Sequence, residues 1–284
     1  YRSALKPYVP ALGSQQMGDI SVRDIEGVVR AQQKSGRSKR TISLGLQQTR
    51  CVFVRAMRDG VIMRNVADGV AAVGRPPKPR SALSLEEFRH VSNYAAQHRM
   101  AAAWALTLLG LRRSEVVGLK WQDLDLISQP AQLTIRAGRT ENRGDLTPPK
   151  TLKGYRTLPV PDELEQALRR WRSSIITEFG IAIVSHDRFV FLDAKGNPVR
   201  PEWMSDEWRK ICIGAGVSRN VVLHEARHTS VTMMRSSGTP DRIVAAWHGH
   251  DESTMRTTYD HAGQDHTGLL SAASTLIELQ GRSA

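Results

Sequence analysis

The sequence predicts a mainly α-helical fold with a small antiparallel β-sheet, an α+β arrangement in two modules. Three observations carry this. Apolar residues recur at helical spacing along most of the chain. Short β-type runs are confined to "QLTIR" (132–136), a stretch near Pro148, "RTLPV" (156–160) and "RFVFL" (188–192). Charge is split across a Pro-rich stretch: residues 1–80 hold 15 Lys or Arg against 5 Asp or Glu, and residues 81–284 hold 25 against 23.

The first module reads as wholly helical. In "SVRDIEGVVRAQQK", Ser21 is the N-cap and Asp24 occupies the capping-box position, with Val22, Ile25, Val28 and Val29 as the apolar set. "SKRTISLGLQQTRCVFVRAMRDG" is a second helix, with Ile42, Leu46, Phe53 and Met57 at roughly helical spacing and Gly60 as its stop. Between them "KSGRSKRT" is a turn carrying Lys34, Arg37, Lys39 and Arg40. At a helix N-terminus such a cluster suits phosphate contact, a solvated basic loop being the plainer reading.

Residues 74–84, within "VGRPPKPRSALS", form a basic linker with three prolines and two further cations toward its end, Lys78 and Arg80. Ser84 and Glu87 then open a helix with a capping box. "HRMAAAWALTLLGLRRSEVVGL" is a strongly apolar helix, a break at Gly110 and a second helix. Residues 161–173 are helical, and helices separated by Gly and Pro follow "RFVFL". The predicted organisation is a helical first module (1–73), the linker (74–84) and a larger module (85–284) whose tail starts near 262.

At 284 residues and 40% hydrophobic, the chain supports real cores. No apolar run reaches the roughly 18 residues of a membrane-spanning helix, and the N-terminus has no h-region. It also lacks an initiating Met, which points to a fragment. Cys51 and Cys212, in apolar surroundings far apart, offer neither a disulfide framework nor zinc spacing; this fits a reducing cytoplasm, and no metal is suggested. A net charge of +12, concentrated in the smaller module, suggests a polyanionic partner rather than a basic surface kept for solubility. Anionic membrane fits less well, because no basic amphipathic helix with bulky aromatics appears.

Several polar residues stand in apolar surroundings. Arg112, in "LLGLRRSE", follows the apolar helix, and Glu115 three residues on shares its helix face and can orient the guanidinium. His224 and Arg227, in "LHEARHT", have the same spacing. Two arginines on different elements can hold two phosphate oxygens, although structural salt bridges explain each one separately. Tyr259, in "TMRTTYDH", is one of only five tyrosines; alone it reads as a core aromatic.

In order, "GLRRSE", "PPKTLKGYRTLPV", "HEARHT", "HGH" and "TTYDH" resemble the tyrosine recombinase, or phage integrase, family motif for motif. The family patterns run GLRxxE, a hairpin lysine before an R-T-x-P strand, HxLRHT, LGH, and a tyrosine some nine residues later. The basic first module resembles that family's core-binding domain. Two departures stand out. His248 replaces the Leu of LGH, leaving His250 as the family's histidine and His248 as a packing or supporting residue, and Ala226 replaces the Leu before the second arginine.

The resemblance implies a core-binding domain and a catalytic domain that clamp DNA. Tyr259 would attack a phosphodiester to give a 3′-phosphotyrosyl bond and a free 5′-hydroxyl. Arg112, Arg227 and His250 would hold the phosphate, with Glu115 and His228 supporting them. His224 would serve as base or as another phosphate ligand. A phenol is mostly protonated at neutral pH, so it needs such an acceptor or positive surroundings. Lys150 fits the leaving-group acid by position, ahead of Lys153. The cations make metal and ATP unnecessary, so no cofactor is expected.

The implied partners are double-stranded attachment or core-site DNA and three further copies in a homotetramer on two duplexes, with host or phage DNA-bending proteins beside them. No membrane partner is expected, and the implied setting is the bacterial cytoplasm. Arg37, Lys39, Arg40, Lys78 and Arg80 would contact DNA. The tail "GLLSAASTLIEL" would dock on a neighbour or pack back on its own protomer. Tyr259 is expected to act in its own protomer, because only nine positions separate it from His250. A type IB topoisomerase and a non-catalytic DNA-binding relative are the alternative readings.

Overall fold

The computed structural model describes residues 2–75, 82–140, 146–149, 154–249 and 266–281. The chain divides into two compact units, Tyr1–Arg80 and Ser81–Ala284.

The first unit contains α1 (Arg2–Leu5), α2 (Val9–Leu12), α3 (Val22–Lys34) and α4 (Lys39–Arg58). Ser21 and Asp24 form the expected capping box on α3, and Ser38 caps α4 by accepting from Thr41 N at 3.2 Å. Ile25, Val28, Val29, Ile42, Leu46 and Phe53 form the centre of its core. Arg50 anchors the segment after α4, donating from Nε to Ala67 O at 3.1 Å and from Nη2 to Val70 O at 2.6 Å. Two expectations change on α4. Met57 and Cys51 are exposed rather than enclosed in apolar surroundings. Thr49, Phe53 and Ala56 occupy the inward stripe, and a helix turns about 100° per residue, so Cys51 faces outward.

The second unit is built around a helix buried on every side. α5 (Leu85–Ala96) starts at the expected Ser84–Glu87 capping box, and α6 (Ala101–Leu108) follows. Ala102 to Leu108 are all buried, as an all-apolar helix requires. α7 (Arg113–Gly118), α8 (Asp162–Phe179), α9 (Pro201–Gly214), α10 (Leu223–Ser236), α11 (Asp241–His248) and α12 (His266–Leu279) complete the helices. Trp104 and Trp208 are fully buried; removing such a side chain to Ala typically costs about 3–5 kcal/mol.

The strands are β1 (Leu124–Asp125), β2 (Gln132–Ile135), β3 (Gly138–Arg139), β4 (Leu146–Thr147) and β5 (Arg156–Pro159). β1, β2 and β5 form one antiparallel sheet in that order, with Leu133 opposite Leu158 and Ile135 opposite Arg156. The strand near Pro148 does not join it: β4 pairs with β3 as a separate ribbon. "RFVFL" is not a strand either. It makes isolated bridges, Lys120 with Phe189 and Leu192 with Pro198. Its partner segment turns into a short 3-10 helix at Trp121–Asp123, leaving no length for a ladder.

α12 packs on its own unit. Leu269, Ala272, Ala273, Leu276 and Ile277 are buried, Arg89 Nε donates to Leu279 O at 3.0 Å, and Ser92 Oγ donates to Gln280 Oε1 at 2.8 Å. No helix among the described residues is long and apolar enough to cross a membrane.

Candidate active site

Because α6 lies inside the unit, the carbonyls at its C-terminal end have no water to bond and need protein donors. Other helices supply them. Leu109 O accepts from Trp247 Nε1 at 2.6 Å and lies 3.1 Å from Ser230 Oγ, and Gly110 O accepts from Arg227 Nη1 at 2.7 Å. Gly110 has φ +93°, and a Cβ there would collide with the His248 ring and lie 2.7 Å from Ser230 Oγ. The break in the apolar helix thus brings α10 and α11 to the start of α7.

Arg112 sits at the N-cap of α7. Its backbone N–H donates to Glu115 Oε2 at 2.8 Å, and its Nη1 to Glu115 Oε1 at 2.7 Å, as the i, i+3 spacing predicts. A second guanidinium, not anticipated from the sequence, shares the carboxylate. Arg156, at the start of β5, donates from Nη1 to Glu115 Oε1 at 3.1 Å and from Nη2 to Oε2 at 2.9 Å. Burial by itself raises the Glu115 pKa, but the charges and hydrogen bonds of Arg156, then Arg112, outweigh it and lower the carboxyl to about 2.

Three consecutive carbonyls at the end of α11 each take one arginine. Trp247 O accepts from Arg156 Nε at 2.8 Å, His248 O from Arg227 Nη2, and Gly249 O from Arg112 Nη2 at 3.1 Å. Gly249 is left-handed (φ 59°, ψ 47°), the usual geometry just past a helix end. The carbonyl end of a helix is its negative pole, so it holds the three cations close together.

Arg112, His224 and Arg227 line one cleft of about 450 Å³, together with Arg113, Ser205, Arg209 and Asn220. The three differ in exposure. The Arg112 side chain is 39% exposed and His224 is exposed, whereas Arg227 is only 4% exposed. Burial, with the neighbouring charge of Arg112, lowers the Arg227 pKa to about 9, so it stays a cation at neutral pH. Its Nη1 and Nη2 each spend a bond on a carbonyl, but a guanidinium has five N–H donors, so a ligand oxygen can still be bound. His228 meets His224 edge to face, with ring centroids 4.9 Å apart. A concave site with two arginines and an imidazole suits a phosphodiester anion.

Lys150, Lys153, His250 and Tyr259 lie outside the described residues, as do Lys78 and Arg80. Arg37, Lys39 and Arg40 are exposed around the N-terminus of α4 in the first unit. Backbone pairing ties this turn to the chain leading out of α4, with Lys39 N donating to Arg75 O at 2.9 Å. His248 is wholly buried, bonded through Nδ1 to Val244 O at 2.8 Å. Arg156 was legible only as the first letter of "RTLPV". A lone arginine beside an apolar strand is the signal that marks it. Among the described residues, no group of three His, Cys, Asp or Glu is placed to hold a metal ion.

Known proteins resemble this chain along most of its length. The phage integrase family matches residues 82–266. An integrase of Saccharopolyspora erythraea is 25% identical over 319 residues, covering 92% of this chain and 73% of its own length. The ICEBs1 integrase of Bacillus subtilis is 24% identical over 250 residues, covering 86% and 67%. In fold, the Tn1549 transposon integrase, solved with transposon right end DNA, superposes with a TM-score of 0.75 at 20% identity, over 95% of this chain and 92% of that one. A λ integrase in a tetramer bound to a Holliday junction gives 0.67 at 17% identity, over 92% and 73%. With its family match spanning more than half of its length, this chain belongs to the phage integrase family, the tyrosine recombinases.

Proposed function

We propose that the chain cleaves and rejoins DNA at a specific site through a 3′-phosphotyrosyl intermediate, in the integration or excision of a phage or mobile element. Tyr259 Oη attacks the scissile phosphorus while the bond to the 5′-oxygen breaks. The phenolic proton passes to an acceptor, and His224, which lines the cleft, is the candidate for it or for a further phosphate contact. The 5′-oxygen takes a proton from Lys150 and leaves as a hydroxyl. Arg112 and Arg227, with His250, offset the charge that builds on the non-bridging oxygens, the dominant requirement in phosphoryl transfer. The phosphotyrosine conserves the bond energy, so a 5′-hydroxyl from a second duplex can reverse the step without ATP. With side-chain cations meeting the charge, the step needs no divalent metal.

The observation that carries this reading is the convergence of Arg112, His224 and Arg227 on one cleft, in a chain with Tyr259 nine positions after His250. The mobile-element role is supported by the ICEBs1 and Tn1549 relatives, and assembly as a tetramer on two duplexes by the λ integrase tetramer. The two modules would grip the duplex together, the basic turn at residues 37–40 supplying contacts that do not depend on sequence.

The test is a nicked suicide duplex carrying the element's own attachment site. Wild type forms a covalent protein–DNA adduct in the presence of EDTA, and Tyr259→Phe does not. An adduct that persists in the Phe variant would overturn the nucleophile assignment.

A further inference from the structure

The reaction assigned above has no use for His248, yet its imidazole sits at the junction of three helices. The ring has no solvent exposure. A carbonyl only accepts, so the Nδ1···Val244 O contact at 2.8 Å places a proton on Nδ1. In the neutral ring Nε2 is then an acceptor, and Ser230 Oγ lies 3.0 Å from it. Ser230 is three residues beyond Arg227 on α10, and its hydroxyl also lies 3.1 Å from Leu109 O at the end of α6. Spent on Nε2, the hydroxyl's one proton ties α10 to α11, while Leu109 O accepts from Trp247 Nε1, where Trp247, His248 and Gly249 present their carbonyls to Arg156, Arg227 and Arg112.

We propose that His248 is a positioning residue for DNA cleavage: its Nε2 contact with Ser230 locks α11 to α10 and sets the carbonyls that aim Arg112 and Arg227 into the cleft. The proposal rests on the recombinase reading given above. A leucine at this position fills a similar volume but offers Ser230 nothing, so α11 loses one tie to α10 and the Arg227 bond to His248 O must hold their spacing without it. The guanidiniums depend on α11 carbonyls for their direction, so any shift of α11 is transmitted directly to them. A displacement of about 1 Å at a reacting group costs on the order of 100-fold in rate. Binding of the duplex, which is spread over many phosphates, changes little.

The experiment compares wild type with His248→Leu, His248→Gln, Ser230→Ala and the double variant His248→Leu/Ser230→Ala. Adduct formation is measured in single turnovers at saturating suicide DNA, and the Kd for the same duplex separately. His248→Leu is expected to lose roughly 10- to 100-fold in rate with Kd within about twofold of wild type. Gln, whose amide reaches as far as Nε2, should restore most of the rate. The double variant should be no slower than the worse single variant, because both substitutions break the same hydrogen bond.

A wild-type rate in His248→Leu, no gain from Gln, or multiplying losses in the double variant would each overturn the proposal. So would a defect confined to Kd. Amide hydrogen exchange over residues 245–249 is measured on the same proteins without DNA. It should quicken in His248→Leu and recover in His248→Gln; unchanged exchange overturns the locking role. Absence of any adduct from wild type would instead count against the recombinase reading, and the exchange result would still judge His248.

Discussion

Glu115 is held by both terminal nitrogens of Arg156, at 3.1 and 2.9 Å, across 41 residues of chain. The Arg156 side chain is only 7% exposed, and so is that of Glu115. Removing one partner of such a buried pair leaves an uncompensated charge and costs about 3–5 kcal/mol. Glu115→Gln should therefore lower stability by that order in urea unfolding and sharply slow adduct formation, because Arg112 shares the same carboxylate. The folded pKa of Glu115 is about 2, below the ordinary 4.5, so its stabilisation is complete above pH 4.5 and is lost as pH falls toward 2. That loss, about 3 kcal/mol from a shift of this size, should be absent from the acid unfolding of Glu115→Gln.

Arg227 carries a shift of the same sense at the alkaline end of the pH scale. Burial and the charge of Arg112 depress its folded pKa to about 9, so it begins to lose its charge there while the unfolded chain keeps it to higher pH. In that range the unfolded state binds more protons, so this group adds stability as pH rises. Adduct formation should nevertheless fall above about pH 9 while the protein stays folded. A rate that stays level to pH 10, measured beside circular dichroism, would refute this.

Gly110 and Gly60 both have positive φ, at +93° and +73°, but only Gly110 has neighbours where a Cβ would go. Gly60→Ala should cost roughly 1–2 kcal/mol, the backbone penalty alone. Gly110→Ala adds a collision with His248 and Ser230 and should cost clearly more, with loss of adduct formation. Equal losses in thermal unfolding would show that the packing around Gly110 yields.

The basic turn is exposed, so its substitution should leave the melting temperature nearly unchanged. Replacing Arg37, Lys39 and Arg40 by Ala should weaken DNA binding at every sequence tested. The slope of log K against log salt should shrink by about 0.9 for each phosphate that is no longer neutralised. An unchanged slope would remove this turn from the DNA interface.

Lys150 is assigned to the leaving group by its place ahead of "RTLPV". A substrate with sulfur at the 5′-bridging position needs no proton on departure, so it should restore cleavage by Lys150→Ala to near wild-type rates. Rescue of Lys153→Ala in its place would transfer the role to Lys153.

Much of this protein can be read locally. Ser21 and Ser84 announce their helices because a capping box is completed within four residues, and the all-apolar stretch through Trp104 announces a buried helix. Arg112 with Glu115, and His224 with Arg227, are visible because three-residue spacing on a helix fixes a shared face. "RFVFL" misled because strand-forming side chains specify no ladder unless a partner of equal length lies beside them.

The fold class, the positions of the helices and the identity of the residues that mark the family all follow from the order of residues along the chain. How the arginines are held does not: Arg156 joins Glu115 from 41 residues away, and three carbonyls at the end of α11 receive three guanidiniums. Helix ends inside a core must find donors wherever the packing brings them, and spacing along the chain does not encode which ones arrive.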